Sequence, residues 1–115
     1  MKRIEAIVHS EKINELNEEL KKIGNTGATI YDAKGRGHGE KPMVQSGRGT
    51  GKYTSEFSSR SCLSTVVDDG DVDKIVKTIL DTVSTGSPGD GKIFISTIAD
   101  AIDIGTQKRG NGALE

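Results

Sequence analysis

Residues 61–97 read SCLSTVVDDGDVDKIVKTILDTVSTGSPGDGKIFIST, and this stretch decides the fold class of the 115-residue chain. Its first part is rich in β-branched residues and stops at the turn Asp68-Asp69-Gly70, as a strand does. The following apolar residues have helical spacing: Val72, Ile75, Val76, Ile79, Leu80 and Val83. A glycine loop then leads into KIFIST. The stretch therefore predicts a strand–helix–strand unit.

The N-terminal part of the chain repeats this order. Residues 2–9 alternate as a strand does, Ser10 is expected to cap a helix that ends at Gly24, and residues 28–34 read as a second strand. In the second unit, Asp71 is the expected helix cap. Two such units in series predict an α+β fold, the ferredoxin-like βαββαβ plait. Both helices cover one face of that sheet, so the bare face with its apolar residues predicts oligomerisation.

The two units are joined by a segment from residue 36 to about residue 60 in which the hydrophobic pattern is lost. Six of the seventeen residues from 35 to 51 are glycine. Glycine-rich sequence with little apolar content does not offset its own conformational entropy. We therefore expect a long, flexible loop of the kind that usually carries function.

Composition excludes several classes of function. Sixteen basic and seventeen acidic residues give a net charge of −1, and only two Tyr and two Phe are present, so binding of nucleic acid is not expected. The apolar stretches are too short for insertion into a membrane. The lone Cys62 fits a reducing cytoplasm. His9, His38 and Cys62 lack the spacing of metal ligands, so no metal site is predicted.

The strongest local motif is TGSPGDGK, residues 85–92. Its three glycines expose backbone N–H groups, and Lys92 adds a mobile positive charge, which is an arrangement that binds phosphate oxygens. The alternative interpretation is a plain turn between helix and strand. A second cluster, GRGHG at residues 35–39, does not open a helix and so is not a dinucleotide fingerprint.

The chain as a whole resembles the PII family of signal-transduction proteins, from Met1 to about Gly112. Four stretches carry the resemblance: MKRIEAIV at residues 1–8, KGRG at 34–37, VVDDGDVDKIV at 66–76 and TGSPGDGKIFI at 85–95. The last stretch matches the C-terminal signature of the family at every restricted position.

The resemblance implies one PII-like domain over residues 1–115, and names its loops. They are a T-loop at about residues 36–60, a B-loop at 84–92 and a C-terminal loop at 100–115. PII proteins are homotrimers that bind ATP or ADP between subunits, often with magnesium and 2-oxoglutarate. They act through the T-loop on transporters and enzymes. The resemblance thus implies a cytoplasmic regulator of nitrogen, carbon or energy status that is itself not an enzyme.

The resemblance also assigns roles to particular residues. Those implied to bind nucleotide are Thr29, Gly35, Gly37, Ser64, Val66, Gly89, Asp90, Gly91 and Lys92. Tyr53 aligns with a T-loop tyrosine that some members carry as a modification site. Arg60 and Arg109 are the implied candidates for contact with an anion. The regulated partner, a transporter or a metabolic enzyme, is not identified.

Departures from the family pattern change these expectations. Gly39 stands where the family has the glutamine that holds magnesium and 2-oxoglutarate, so neither is expected to bind well. Asp103 and Gly105 stand where two arginines contact the phosphates, so ADP is expected to bind at least as well as ATP unless Arg109 substitutes. The T-loop signature is absent around Tyr53, so its modification is not expected.

Two other functions remain open at this point. One is a PII-shaped sensor of a different ligand, or of ADP and AMP only, without a response to 2-oxoglutarate. The other is an enzyme on the same plait, such as an acylphosphatase, which would need an arginine-bearing loop after the first strand. The chain has His9-Ser10-Glu11 there, which favours the sensor.

Overall fold

A computed structural model describes residues 1–37, 43–45, 52–54 and 57–114 of the chain. Its strands are β1 (Lys2–His9), β2 (Thr29–Gly35), β3 (Met43–Gln45), β4 (Lys52–Thr54), β5 (Ser58–Val67) and β6 (Gly91–Thr97). Its helices are α1 (Ile13–Lys22) and α2 (Val72–Val83), and three short 3-10 turns lie at Ser10–Lys12, Asp69–Asp71 and Gly110–Leu114. The orders β1-α1-β2 and β5-α2-β6 confirm the predicted α+β, ferredoxin-like arrangement.

Four strands form one antiparallel sheet in the order β2-β5-β1-β6. The register places Ala6 opposite both Leu63 and Ile93, so these residues share one face. That face packs against the apolar stripes of both helices, and the stripe of α2 is the one that the helical spacing predicted. The apolar residues of this core that are at most 2% exposed are Ile4, Ala6, Val8, Leu16, Leu20, Leu63, Ile75 and Ile79. Neither helix is long and apolar enough to cross a membrane within the described residues.

The starts of the helices differ from the sequence prediction. Ser10 begins a 3-10 turn, and no side chain caps that turn or α1. Asp71 makes no side-chain cap either, because another 3-10 turn precedes α2 and moves the cap to Asp68, which accepts from the Asp69 N–H at 3.0 Å. Gly24 ends α1 as predicted, with a φ of +92°.

The segment predicted as one loop, residues 36–60, is partly strand. Strand β5 begins at Ser58, which pairs with Gly35, so the last three residues of the predicted T-loop belong to the sheet. Strands β3 and β4 also pair, with Val44 opposite Tyr53. Backbone groups make such a ladder, which a search for hydrophobic periodicity does not detect. The predicted mobility concerns residues that lie mostly outside the described ones.

Candidate functional site

The B-loop is held together by one carboxylate, that of Asp90. Its Oδ2 accepts from the N–H groups of Thr85 at 2.5 Å and Ser87 at 3.3 Å, and its Oδ1 accepts from the Thr85 hydroxyl at 2.6 Å. The Thr85 hydroxyl and these amides hold the pKa of the Asp90 carboxyl below its usual value. Asp90 therefore organises its own loop, an inward role that the glycine motif did not predict.

The same bonds reduce the number of backbone N–H groups that the loop can donate to an anion. The N–H groups of Thr85 and Ser87 already donate to Asp90, and the Asp90 N–H donates to the Ser87 carbonyl at 3.1 Å. The Gly89 N–H reaches only a hydroxyl, Ser87 Oγ, at 3.3 Å. Lys92 is exposed and forms no ion pair within the described part of the chain. Gly89 and Lys92 are therefore the groups best placed to meet a phosphate.

His9, the last residue of β1, forms a hydrogen bond that anchors the B-loop to the sheet. Its Nε2 lies 2.7 Å from the Gly89 carbonyl oxygen, and because a carbonyl only accepts, Nε2 is the donor. The contact arises because β1 and β6 pair with Val8 opposite Gly91, which brings the end of one strand to the start of the other. The sequence placed His9 at the end of the first predicted strand, and the structure supplies its hydrogen-bond partner.

Gly91 is required by its surroundings, unlike most glycines of the motif. Its φ of +136° disfavours any L side chain, and a Cβ built there would overlap the Ile7 carbonyl oxygen on β1. Gly86 also has a positive φ, +85°, but has open space around it. Close approach of two backbones therefore distinguishes Gly91 from Gly86.

The strand residues implied to bind nucleotide share the face of the sheet opposite the helices. The register places Thr29 opposite Ser64, with Val66 two residues further along β5, and Lys92 belongs to the same face on β6. Thr29 and Lys92 lie on opposite edge strands, separated by three inter-strand spacings or about 14 Å across the sheet. Lys92 is also two residues along β6 from Phe94, the residue in line with Thr29. One chain thus displays these residues across an open surface and does not close them around a ligand.

The strand residues and the B-loop residues that are implied to bind nucleotide line two different cavities. One, of about 760 Å³, lies where β2 begins and β5 ends, and its wall includes Thr29, Ser64 and Val66. The other, of about 330 Å³, lies under the B-loop, and its wall includes Asp90, Gly91 and Lys92. The larger volume suits a small organic ligand. Neither cavity contains residues of both groups.

Three of the charged side chains of the C-terminal loop bond to other groups of the same loop. Arg109 Nε and Nη2 donate to Asp100 Oδ2 at 3.1 and 2.8 Å, so Arg109 would have to leave Asp100 to contact a phosphate. Asp103 Oδ1 accepts from the Thr106 N–H at 2.8 Å and from its hydroxyl at 3.1 Å. Arg109 lowers the pKa of Asp100, and the Thr106 N–H lowers that of Asp103. The loop therefore presents carboxylates and a neutralised arginine.

The remaining predicted residues lie around the base of the T-loop. Arg60 Nη1 donates to the Ser59 carbonyl at 2.9 Å, and Cγ of Arg60 lies beside Gly35. Gly37 has open space around it. Tyr53 falls in β4, but its side chain lies outside the described part of the chain, as does Gly39. Among the described residues, no group of three or more His, Cys, Asp or Glu could hold a metal.

Comparison with known proteins decides the family. The family described as nitrogen regulatory protein P-II matches residues 1–108. The chain belongs to the P-II family. The P-II protein of Rhodospirillum rubrum is 38% identical over 114 residues, which cover 99% of this chain and all of the relative. The P-II protein of Nostoc punctiforme and P-II 1 of Escherichia coli K12 are each 37% identical over 114 residues and are covered completely.

Membership in the P-II family confirms the resemblance inferred from the four sequence stretches. It also confirms the predicted class of function, because the family name describes nitrogen regulatory proteins and not enzymes. The match includes the glycine-rich loop at residues 84–92. The match ends at residue 108, so Arg109 and the final 3-10 turn lie outside it.

The bonded carboxylates predict a dependence of stability on pH. The pKa values of Asp69, Asp90, Asp100 and Asp103 lie below the usual 3.8, for Asp69 because the N-terminal ammonium is 2.9 Å away. A carboxyl with a folded-state pKa below its unfolded one stabilises the fold above the usual value, and this contribution is lost as pH falls through the folded pKa.

We therefore expect the free energy of unfolding to fall below about pH 4. Carbon-detected NMR titration of the carboxyl groups identifies the residues responsible. Midpoints at or above 3.8 for all four aspartates would contradict the assigned bonds.

Proposed function

We propose that this P-II protein is a trimeric signal-transduction protein that binds an adenine nucleotide between subunits. It regulates a transporter or metabolic enzyme through the segment 36–60, according to nitrogen, carbon or energy status. The lone Cys62 fits the reducing cytoplasm as its location. The observation that carries the proposal is the division of six of the nine implied nucleotide residues between the two cavities.

That division supports a site made by two copies of the chain. One group, with Thr29 and Ser64, lines a cavity large enough for a nucleoside. The other, with Asp90, Gly91 and Lys92, lines the cavity under the B-loop, where Lys92 and the N–H group of the neighbouring Gly89 offer a cation and an amide to phosphates. Each group alone lacks the complementary half. A neighbouring subunit that faces one group with the other completes the site, and a head-to-tail contact of this kind closes into a ring.

The charges favour a nucleotide with few phosphates. Lys92 is the cation best placed at the B-loop, whereas the C-terminal loop carries Asp100 and Asp103, with Arg109 held by Asp100. A carboxylate near a triphosphate repels it, and no described arginine is free in that loop to compensate. ADP therefore keeps most of the favourable contacts of ATP and avoids part of the repulsion.

We expect ADP to bind at least as tightly as ATP, and 2-oxoglutarate to change either affinity little. Calorimetric titrations with ATP, ADP and AMP, each with and without magnesium and 2-oxoglutarate, measure this directly. Adenosine without phosphate serves as the control for the contribution of the base. A clear preference for magnesium-ATP that 2-oxoglutarate enhances would refute the expected order and point to release of Arg109 from Asp100.

A complete lack of adenine-nucleotide binding would instead reject the proposed effector. The sensor of a different ligand would then replace it, and the carboxylates at Asp100 and Asp103 would favour a ligand that is less negatively charged. The role of the segment 36–60 is tested separately. Proteins that copurify with the full chain are compared with those that copurify with a variant shortened in this segment, and equal recovery of every partner contradicts regulation through it.

A further inference from the structure

Residues 85–90 of the B-loop hold one another in a defined shape. The Asp90 carboxylate accepts from the Thr85 N–H, the Thr85 hydroxyl and the Ser87 N–H. The Asp90 N–H donates to the Ser87 carbonyl at 3.1 Å, which closes a turn around Pro88 and Gly89. All of these bonds join residues within the segment. The shape of the segment is therefore set by its own polar groups.

The position of that segment depends on a single polar contact with the sheet. Its ends continue into α2, where the Ser84 N–H donates to the Leu80 carbonyl, and into β6 at Gly91. Among the described residues, the bond from His9 Nε2 to the Gly89 carbonyl is the one hydrogen bond or ion pair that joins residues 85–90 to another element. A loop that keeps its own shape and has one such tether can move as a unit when the tether is lost.

His9 reaches the loop on the face of the sheet that also carries Lys92. Ile7 is opposite Lys92 in the register of β1 and β6, and His9 is two residues further along β1, so all three belong to one face. In Gly89, only the N–Cα and Cα–C bonds separate the anchored carbonyl from the N–H group. A bond to the carbonyl therefore restricts where this N–H lies relative to Lys92.

The tether needs a donor at the far end of a side chain of this length. A carbonyl only accepts, so Nε2 must carry a hydrogen, which it does in the imidazolium and in one of the two neutral tautomers. The bond is therefore compatible with a charged or an uncharged ring. The contact between His9 and Gly89 is part-buried, so water competes with it less than at an exposed site.

We propose that His9 is a positioning residue for phosphate recognition, which holds the B-loop where the Gly89 N–H and Lys92 contact one phosphate group. This role rests on the proposed function for its ligand, an adenine nucleotide, whereas the tether itself is present in the unliganded chain. Without the tether, the loop occupies its binding position for only part of the time. The apparent affinity for the nucleotide then falls in proportion to that fraction.

The test compares His9→Leu, His9→Asn and His9→Gln in the full chain. Leucine has no donor and the asparagine amide is too short to replace Nε2, whereas the glutamine amide nitrogen can take about its place. Calorimetric titration with ADP at about pH 8, where an ordinary imidazole is uncharged, avoids attraction between an imidazolium and the phosphates. We expect ADP to bind roughly three- to tenfold more weakly to the first two variants, because one hydrogen bond is lost. Binding to His9→Gln should stay within about twofold of the wild type.

Two controls separate positioning from a general loss of structure. Adenosine, which has no phosphate, should bind every variant equally. Ser10→Ala changes the residue after His9, whose side chain makes no hydrogen bond within the described residues, and should leave ADP affinity unchanged. Urea unfolding checks that each variant is folded. Wild-type ADP affinity in both His9→Leu and His9→Asn, an equal loss in His9→Gln, or an equal loss for adenosine would each overturn the positioning role.

Backbone ¹⁵N relaxation of the unliganded chain tests the tether without nucleotide. The amides of Gly86 and Gly89 should be more mobile in His9→Leu than in the wild type, and His9→Gln should restore their order. Unchanged mobility in His9→Leu would overturn the tether. A wild type that binds no ADP, together with lost loop order in His9→Leu, would support the positioning of the loop by His9 and reject only the adenine nucleotide as its ligand.

Discussion

Gly91→Ala is expected to lower the free energy of unfolding by about 3 to 5 kcal/mol, a large loss for one methyl group. The added Cβ would overlap the Ile7 carbonyl oxygen, and that atom belongs to the backbone of the central strand β1. The φ of +136° adds strain for any L side chain. Urea unfolding followed by circular dichroism measures the change.

Substitutions at two other glycines separate backbone strain from steric overlap as causes of this loss of stability. Gly86→Ala, with a φ of +85° and open space, tests backbone strain without overlap and should cost about 1 to 2 kcal/mol. Gly27→Ala, which also has open space, should be close to neutral. If Gly91→Ala is no more costly than Gly86→Ala, then β1 and β6 do not approach as closely as described.

Lys92→Ala is expected to weaken binding of adenine nucleotide roughly ten- to a hundred-fold. The lost charge-assisted contact is worth about 1.5 to 3 kcal/mol, and no described cation stands ready at the B-loop to replace it. Calorimetric titration with ADP measures the effect. Gly89→Val tests the neighbouring amide separately, because its side chain would hinder close approach of a phosphate.

Lys77→Ala is the matched control for removal of a positive charge. Lys77 is exposed on α2 and is paired with Asp81 at 2.6 Å. Its loss should leave ADP affinity within about twofold, because surface charges act weakly at a distance in salt. Undiminished binding by both Lys92→Ala and Gly89→Val would mean that the B-loop is only a turn, and the nucleotide proposal would lose its main physical support.

Elements with strong periodicity were predictable from the sequence. The alternation of Ile4, Ala6 and Val8 and the helical spacing of Ile75 and Ile79 identified the buried residues, which the structure confirms. Their apolar side chains are removed from water on one face of a strand or helix, so the spacing along the sequence predicts which residues are buried in the core. Gly91, in the motif at residues 85–92, was likewise visible as a glycine in the sequence, and the structure shows that the close approach of Ile7 requires one there.

The role of each polar group within those loops was decided only by the tertiary structure. The resemblance implies that Asp90 binds nucleotide, and the structure shows what the sequence does not, that its carboxylate accepts from Thr85 and Ser87 of its own loop. The sequence makes Arg109 a candidate for contact with an anion, and the structure shows that it donates to Asp100 of its own loop. A polar side chain satisfies its hydrogen bonds with whichever partner the folded backbone brings near, and sequence spacing does not report that choice.

The contact of His9 with Gly89 shows the same difference over a longer range. The sequence by itself determined that His9 ends a strand and that Gly89 lies in a turn, because each follows from its neighbours. Only the tertiary structure decided that they meet, 80 residues apart, at 2.7 Å. The meeting depends on β6 pairing with β1, and strand pairing depends on the burial of a shared apolar face by residues distant in the chain.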